Sequence, residues 1–290
     1  MDLVKQLRES SGVGMMDCKK ALQEANGDIT KATELLRKKG MAVAAKRSSN
    51  LTENGLIYGL VDKNFKQASL IEIGCETDFA ARTQDMKTFA NDIATSFMEA
   101  GLMFESIDQF MALEVKSLGK QAQSLLEELV ARVSEKIVVA RVDVSNSSDT
   151  GLTNIYIHPD GTLGVLIEIS ADKPMTGEHR VVLSQLAKDL CMQVAVTNPV
   201  SISPADVDPA LIAKEREISQ ALLASSNKPA QIIEKIVEGK LRKFYEDNCL
   251  VEQKFIKDEQ MTVTQYMDKV GKEHNLKLKV EKVARYGIKR

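Results

Sequence analysis

The sequence has 290 residues, 39 of them Lys or Arg and 41 Asp or Glu, for a formal charge of −2. A balance so close to neutral argues against a dedicated nucleic-acid or membrane-surface binder, and a hydrophobic content of 43% can fill the cores of roughly two or three domains. Cys18, Cys75, Cys191 and Cys249 form no Cys-x-x-Cys pair and His158, His179 and His274 lack metal-ligand spacing, so neither a zinc ribbon nor a thioredoxin-type redox site is expected.

Residues 1–45 read as a small helical unit. Leu3, Val4 and Leu7 share one face, then Ala21, Leu22 and Ala25, then Ile29, Ala32, Leu35 and Leu36. Gly12 and Gly14 interrupt the first periodic stretch, Asn26-Gly27-Asp28 ends the second helix and caps the third, and Gly40 is expected to close it. A unit this small buries little surface and is expected to dock onto something. Residues 46–54, with Lys46-Arg47-Ser48-Ser49-Asn50, carry no period and read as a linker.

The middle of the chain repeats itself. Leu56-Ile57-Tyr58, a turn near Asp62-Lys63-Asn64 and Leu70-Ile71-Glu72-Ile73 recur as Asn154-Ile155-Tyr156, a turn at Asp160-Gly161 and Leu166-Ile167-Glu168-Ile169. Helices bearing Phe89-Ala90-Asn91-Asp92-Ile93 and Leu186-Ala187-Lys188-Asp189-Leu190 follow at nearly the same distance. Alternating apolar residues about such turns indicate two antiparallel hairpins, each backed by helix. Lys136–Val144 and Lys277–Tyr286 alternate as third strands, so the fold class is α+β with two related subdomains, each holding a three-stranded antiparallel sheet. The expected divisions are 55–144 for the first subdomain and 145–197 with 251–290 for the second.

Residues 198–250 interrupt the second subdomain as an antiparallel helical hairpin. One helix carries Leu211, Ile218 and Leu222, the other Ile233, Ile236, Val237, Leu241 and Phe244, with Asn227-Lys228-Pro229 turning between them and Pro at the first helical position. Its apolar faces either cover each other or meet a partner, a second copy of the chain included.

No phosphate-binding loop, Gly-x-Gly-x-x-Gly fingerprint or Gly-x-Ser-x-Gly elbow occurs. The segment Cys75-Glu76-Thr77-Asp78-Phe79-Ala80-Ala81-Arg82 stands out instead. Thr77 or Asp78 can cap a short helix, which sets Phe79 on its first turn near the end of a strand. There it either fills its own core or projects as a wedge.

These residues carry a resemblance. Leu7-Arg8-Glu9 with Gly12-Val13-Gly14-Met15-Met16-Asp17-Cys18-Lys19-Lys20-Ala21-Leu22 and Ala25-Asn26-Gly27-Asp28 resembles the amino-terminal signature of bacterial elongation factor Ts, and Cys75-Glu76-Thr77-Asp78-Phe79-Ala80 resembles its second signature. The order of parts is similar across nearly the whole chain: a ubiquitin-associated-like three-helix domain, two core subdomains and an inserted hairpin. The resemblance implies a guanine-nucleotide exchange factor that binds the GTPase elongation factor Tu and performs no covalent chemistry, with no cofactor or metal of its own and no direct nucleotide contact. It implies that Thr77, Asp78 and Phe79 intrude beside the magnesium and phosphate site of the GTPase. Lys19 would help the small domain contact the partner, and His158 would make another core contact. Val133 and Ser134 fall on a further contact segment, though the family often has Gly where Ser134 stands, which leaves that backbone contact open. Ile236 and Val237 match hairpin residues that face the partner's third domain.

Three other readings stand beside this one. The helices and hairpin could serve a non-exchanging interaction module. Lys269, Lys272, Lys277, Lys279, Lys282, Arg285, Lys289 and Arg290, against Glu273 and Glu281, could bind RNA, although Lys on an edge strand more often blocks edge pairing. An enzyme would have to combine Cys75 with His158, Glu76 and Asp78, which no spacing demands. Met1 to Gln6 lack the basic and apolar regions of a signal peptide and no apolar run reaches the ~18 residues of a membrane span, so a cytoplasmic protein without membrane contact is expected.

Overall fold

The computed structural model describes residues 2–100, 106–115, 117–223 and 229–288. The chain opens with α1 (Asp2–Ser11), α2 (Met15–Glu24) and α3 (Ile29–Lys46). Leu7, Cys18, Ala21, Leu22, Ala32 and Leu36 form their shared core, whereas Leu3, expected on the same face, stays 46% exposed. The Asp28 carboxylate caps α3 by accepting the Lys31 N–H at 3.1 Å. Gly40 does not end α3, contrary to the expectation from the sequence. The helix runs six residues further, because Gly40 is where α3 crosses α7 (Ala122–Val133): a Cβ there would stand 2.6 Å from the Glu127 carbonyl and 2.9 Å from Ala131 Cβ. Arg37 seals the crossing, with Nε 2.9 Å from Glu127 Oε2 and Nη2 2.9 Å from Ser124 Oγ.

Strands β1 (Asn54–Val61) and β2 (Gln67–Cys75) form the first hairpin, followed by α4 (Asp78–Ala81), α5 (Gln84–Ala100) and α6 (Ile107–Met111). A two-residue ribbon, β3 (Glu114–Val115) with β4 (Lys120–Gln121), leads into α7 and then β5 (Ile137–Asn146), which lies along β2. The second hairpin is β6 (Gly151–Ile157) with β7 (Leu163–Ala171), backed by α8 (Gly177–Thr197). After the arm α9 (Pro209–Leu223) and α10 (Ala230–Asn248) come the ribbon β8 (Lys254–Phe255) with β9 (Asp258–Thr262), then α11 (Val263–Glu273) and β10 (Leu278–Gly287). Helix α10 starts one residue beyond Pro229, which is its N-cap rather than its first helical residue; Asn227 and Lys228 of the expected turn lie outside the described residues.

The two sheets are antiparallel and ordered β1-β2-β5 and β10-β7-β6, so each hairpin's second strand is central and the added third strand an edge. Even an irregularity repeats. β5 bulges against Glu72-Ile73, pairing Glu72 with Arg141 and Ile73 with Val139, and β10 bulges between Val280 and Lys282 against Ile169 and Glu168. The near-continuous apolar runs on β2 and β7 follow from their having two buried faces. Ile71, Ile73, Val165, Ile167 and Ile169 pack towards helices, while Ile57, Ala68, Leu70 and Leu166 meet between the sheets with Ala284 and Tyr286. Each such fully buried Ile or Leu contributes about 1.5–3 kcal/mol. Helix–sheet–sheet–helix layering results.

Part of the basic C-terminal strand joins this packing, while Lys277 and Lys279 stay exposed and Lys289 and Arg290 lie outside the described residues. Lys282 Nζ stands 2.7 Å from Asp143 Oδ1, the Tyr286 hydroxyl donates to Asp143 Oδ2 at 2.6 Å, and the Arg141 guanidinium lies 4.2 Å above the Tyr286 ring. Burial and that neighbouring carboxylate push the Tyr286 phenol upward, so it stays a neutral donor. Gly40→Val should insert a side chain between α3 and α7 and cost about 1–3 kcal/mol of overpacking; a lowered thermal midpoint, with faster proteolysis between residues 47 and 53, is the measurement expected.

Candidate functional site

The segment that follows β2 is held in place from two sides. Thr77 caps α4 by accepting the Ala80 N–H at 3.2 Å, while its own hydroxyl and N–H donate to Glu135 at 2.7 and 3.0 Å. Glu76 turns inward and receives Arg47 Nη1 at 2.8 Å, Asn50 Nδ2 at 2.8 Å and the Lys136 N–H at 2.6 Å. The Lys136 N–H, followed by Asn50 and Arg47, holds the Glu76 carboxyl below its ordinary pKa. Cys75 donates its thiol to the Thr77 carbonyl at 3.1 Å and is buried.

Phe79 is the outcome of this arrangement. With Thr77 capping and Ala80 and Ala81 turned inward, the second residue of the one-turn helix can only face out, and Phe79 is 81% exposed. The alternative in which it fills its own core is excluded. Asp78 beside it is half-exposed and bonded within the helix to Arg82 at 3.2 Å.

Ser134 ends α7 in the left-handed region, φ 60° and ψ 29°, and its N–H reaches the Val130 carbonyl at 2.8 Å. That conformation costs a residue with a Cβ about 1 kcal/mol and glycine nothing, which is the physical reason a glycine suits the position. Serine itself occupies the left-handed conformation in this chain. Val133 is half-buried and Ser134 exposed. Because Glu135 and Lys136 bond the Glu76–Thr77 segment, Val133 and Ser134 are brought beside Thr77, Asp78 and Phe79 although more than fifty residues separate them in sequence.

The second hairpin approaches the same face. Pro159, Asp160, Gly161 and Thr162 share a cleft of about 700 Å³ with Asp78, Ala81 and Arg82. The Ile57 N–H bonds the Gly161 carbonyl at 2.7 Å, which joins the turn to β1. His158 is half-exposed with Nδ1 2.8 Å from Asp160 Oδ1, and the Asp160 carboxyl is held far below its usual range by the Thr162 N–H and hydroxyl, then by His158.

Two groups of expected residues stand apart from this face. Lys19 is exposed on α2. Gly12, in the turn ahead of that helix, lies against the Arg132 side chain, so the amino-terminal unit sits beside the end of α7 that carries Val133 and Ser134. On the arm, Ile236 is half-buried but Val237 is wholly buried, so Val237 presents no surface to a partner, contrary to what its alignment implied. The reason is the antiparallel seam: Ser219 and Val237 pack inward while Arg216 and Glu234 pair across it at 2.6 Å. Among the described residues of α9 and α10, the large aliphatics Ile218, Leu222 and Ile232 are exposed, at 44%, 66% and 46%.

The set proposed for an enzyme lacks a nucleophile. Burial, then the Glu135 carboxylate, pushes the Cys75 thiol up to about 11, so it is protonated at neutral pH. Among the described residues no group of three or more His, Cys, Asp or Glu could hold a metal ion, and no helix is long and apolar enough to cross a membrane. Glu76, Glu135, Arg47 and Asn50 carry no periodic or capping signal in the sequence that marks them as anchors. Only the adjacency of Glu76 to Thr77 pointed to one of them.

Fold and site together define an α+β protein that presents short, backbone-anchored loops, rather than a reactive pocket, at the junction of its layers. Comparison with known proteins takes this further. The family model described as elongation factor TS matches residues 76–289. The chain is 39% identical over 286 residues to "Elongation factor Ts" of Clostridium botulinum (strain Alaska E43 / Type E3), covering 98% of this chain and 90% of that one. Proteins of the same name match at 36% over 283 residues in Clostridium perfringens (strain SM101 / Type A) and at 38% over 285 residues in a Nitratiruptor species, with 98% of this chain covered each time and 90% and 91% of theirs. The chain belongs to the elongation factor Ts family, a family of translation elongation factors.

Ser134→Gly should raise stability by about 0.5–1 kcal/mol, the left-handed penalty less the entropy glycine adds to the unfolded chain. Urea unfolding with an unchanged slope and a higher midpoint is the result expected.

Proposed function

We propose that the chain is a guanine-nucleotide exchange factor that binds elongation factor Tu in its GDP form and releases GDP by disturbing the magnesium and phosphate site, without covalent chemistry or direct contact with nucleotide. The observation that carries this reading is Phe79, which a folded chain on its own would gain by burying and which is instead 81% exposed on a capped helix clamped from both sides. In this reading Phe79 and Asp78 enter the GTPase, with Thr77 shaping their helix. Val133, Ser134 and His158 line the same contact, and Lys19 engages the partner separately from α2. Ile236 and the exposed Ile218, Leu222 and Ile232 give the arm its contact surface, for the GTPase or for a second copy of the chain. The functional divisions are 1–45, a linker at 46–54, cores at 55–144 and at 145–197 with 251–290, and the arm at 198–250. The site of action is the cytoplasm, where translation takes place.

Magnitudes limit what the wedge does alone. Burying one Phe contributes about 1.5–3 kcal/mol, whereas a GTPase that holds nucleotide at nanomolar strength has about 12 kcal/mol to offset. One ring is insufficient. Exchange works through a broad interface whose binding is negatively coupled to that of nucleotide and magnesium, and linkage makes the weakening mutual, so nucleotide in turn expels the factor. No proton needs to be moved, which suits a site whose thiol is inert and whose carboxylates serve as anchors.

Phe79→Ala should keep the fold, since it removes almost no buried surface, and slow stimulated GDP release by about ten- to a hundredfold. Chasing fluorescent GDP from purified elongation factor Tu measures it; undiminished release would remove the wedge. Lys19→Ala should act on the association of the two proteins, lowering the on-rate and its salt dependence. A change confined to dissociation of the protein complex would show that assignment to be wrong.

A further inference from the structure

Three stretches of chain that are distant in sequence converge on one carboxylate. Glu76 Oε2 accepts Arg47 Nη1 and Asn50 Nδ2, each at 2.8 Å, and Oε1 accepts Arg47 Nη1 at 3.0 Å and the Lys136 N–H at 2.6 Å. The Glu76 carbonyl takes Asn54 Nδ2 at 2.8 Å, and Lys136 Nζ returns to the Ser48 and Asn50 carbonyls at 2.6 and 2.8 Å. The Glu76 side chain is only 16% exposed. A carboxylate so enclosed cannot reach a partner, yet its bonding capacity is filled by groups from every segment around it.

The identity of those segments matters. Arg47 is the residue that caps α3, the helix on which the amino-terminal unit is mounted, and its N–H bonds the Val43 carbonyl at 3.0 Å. Lys136 follows α7, against which Gly40 of α3 is packed. Thr77, next to Glu76, is the cap of the helix that carries Phe79.

Resting on the exchange reading above, we propose that Glu76, with Arg47 as its partner, is a positioning residue that locks the Phe79 helix to the end of α3, so that the amino-terminal unit and the Phe79 wedge engage the GTPase at one fixed separation. A rigid spacing of two contact points lets binding of the amino-terminal unit drive the ring into the GTPase, so that the cost of ordering a loose loop does not fall on the step that loosens nucleotide. The role lies in placement, and Glu76 touches neither nucleotide nor partner. Loss of the anchor therefore acts through the helix that carries Asp78 and Phe79, and cannot exceed the loss of both side chains.

The sequence contains no tryptophan, so Phe79→Trp supplies a single reporter at the wedge. In the free protein, adding Glu76→Gln to Phe79→Trp should leave the far-ultraviolet circular dichroism unchanged and introduce a fast component in the tryptophan anisotropy decay. Arg47→Ala, at a partly exposed side chain, should do the same to a smaller extent and serves if Glu76→Gln does not fold. In fluorescent-GDP release from elongation factor Tu, Glu76→Gln should lower the saturating rate by about three- to tenfold with little change in half-saturating concentration, and should add nothing in a background that carries both Asp78→Ala and Phe79→Ala. An unaltered anisotropy decay in both variants overturns the proposal, as does a loss that multiplies with the Asp78→Ala and Phe79→Ala pair or disappears at high factor concentration. Absence of stimulated release by the unsubstituted protein would defeat the exchange reading instead, and the anisotropy result would still decide whether Glu76 holds the helix.

Discussion

Two sheets lie back to back so closely that side chains are missing where they touch. A Cβ on Gly59 would stand 2.8 Å from Ile155 Cδ1, and one on Gly164 would collide with Ile57 and Leu70. Close approach of this kind lets Ile57, Leu70 and Leu166 form a dry layer between two repeats that each bury a second face under helices. The rest of the architecture inherits its geometry from that contact. It sets the Asp160–Gly161 turn against β1, and so brings the second hairpin's loop to the end of the first sheet, where Phe79 projects.

Rigidity in this molecule comes from different sources at the core and at the face. The core relies on apolar burial, which is large and indifferent to direction. The face relies on carboxylates that accept backbone N–H groups, Glu76 from Lys136 and Glu135 from Thr77, which are directional and fix a loop to within a hydrogen bond's tolerance. A one-turn helix has too few internal bonds to hold its own shape. Its cap and two neighbouring carboxylates do so, which leaves the aromatic ring free of any structural duty.

Such a division suits a protein that acts by binding rather than by bond making. In the exchange function proposed above, the energy that loosens a tightly held nucleotide comes from the whole interface, and each contact is useful only if it is formed in step with the others. An exposed ring on an anchored helix enters a partner without first losing conformational freedom. The buried, protonated Cys75 beneath it is a packing residue that closes the first core.

Much of this was legible in the sequence because it is written in local periods. The hairpins about Asp62 and Asp160, their paired helices, the two alternating third strands, the Asp28 and Thr77 caps and the helical arm follow from apolar spacing and turn chemistry that neighbouring residues determine among themselves. The α+β class and the paired sheets came from the repeat. What the tertiary structure alone decided is which of those local signals yield when distant elements meet. Gly40 looked like a helix end and proved to be a crossing point, because α7 needs the space; Val237 looked like a contact and proved to be seam, because α9 covers it. Arg47, Asn50, Glu135 and Lys136 carry no periodic mark, and their convergence around Glu76 and Thr77 exists only once three chain segments are folded together, since a hydrogen bond depends on distance in space and the sequence records only distance along the chain.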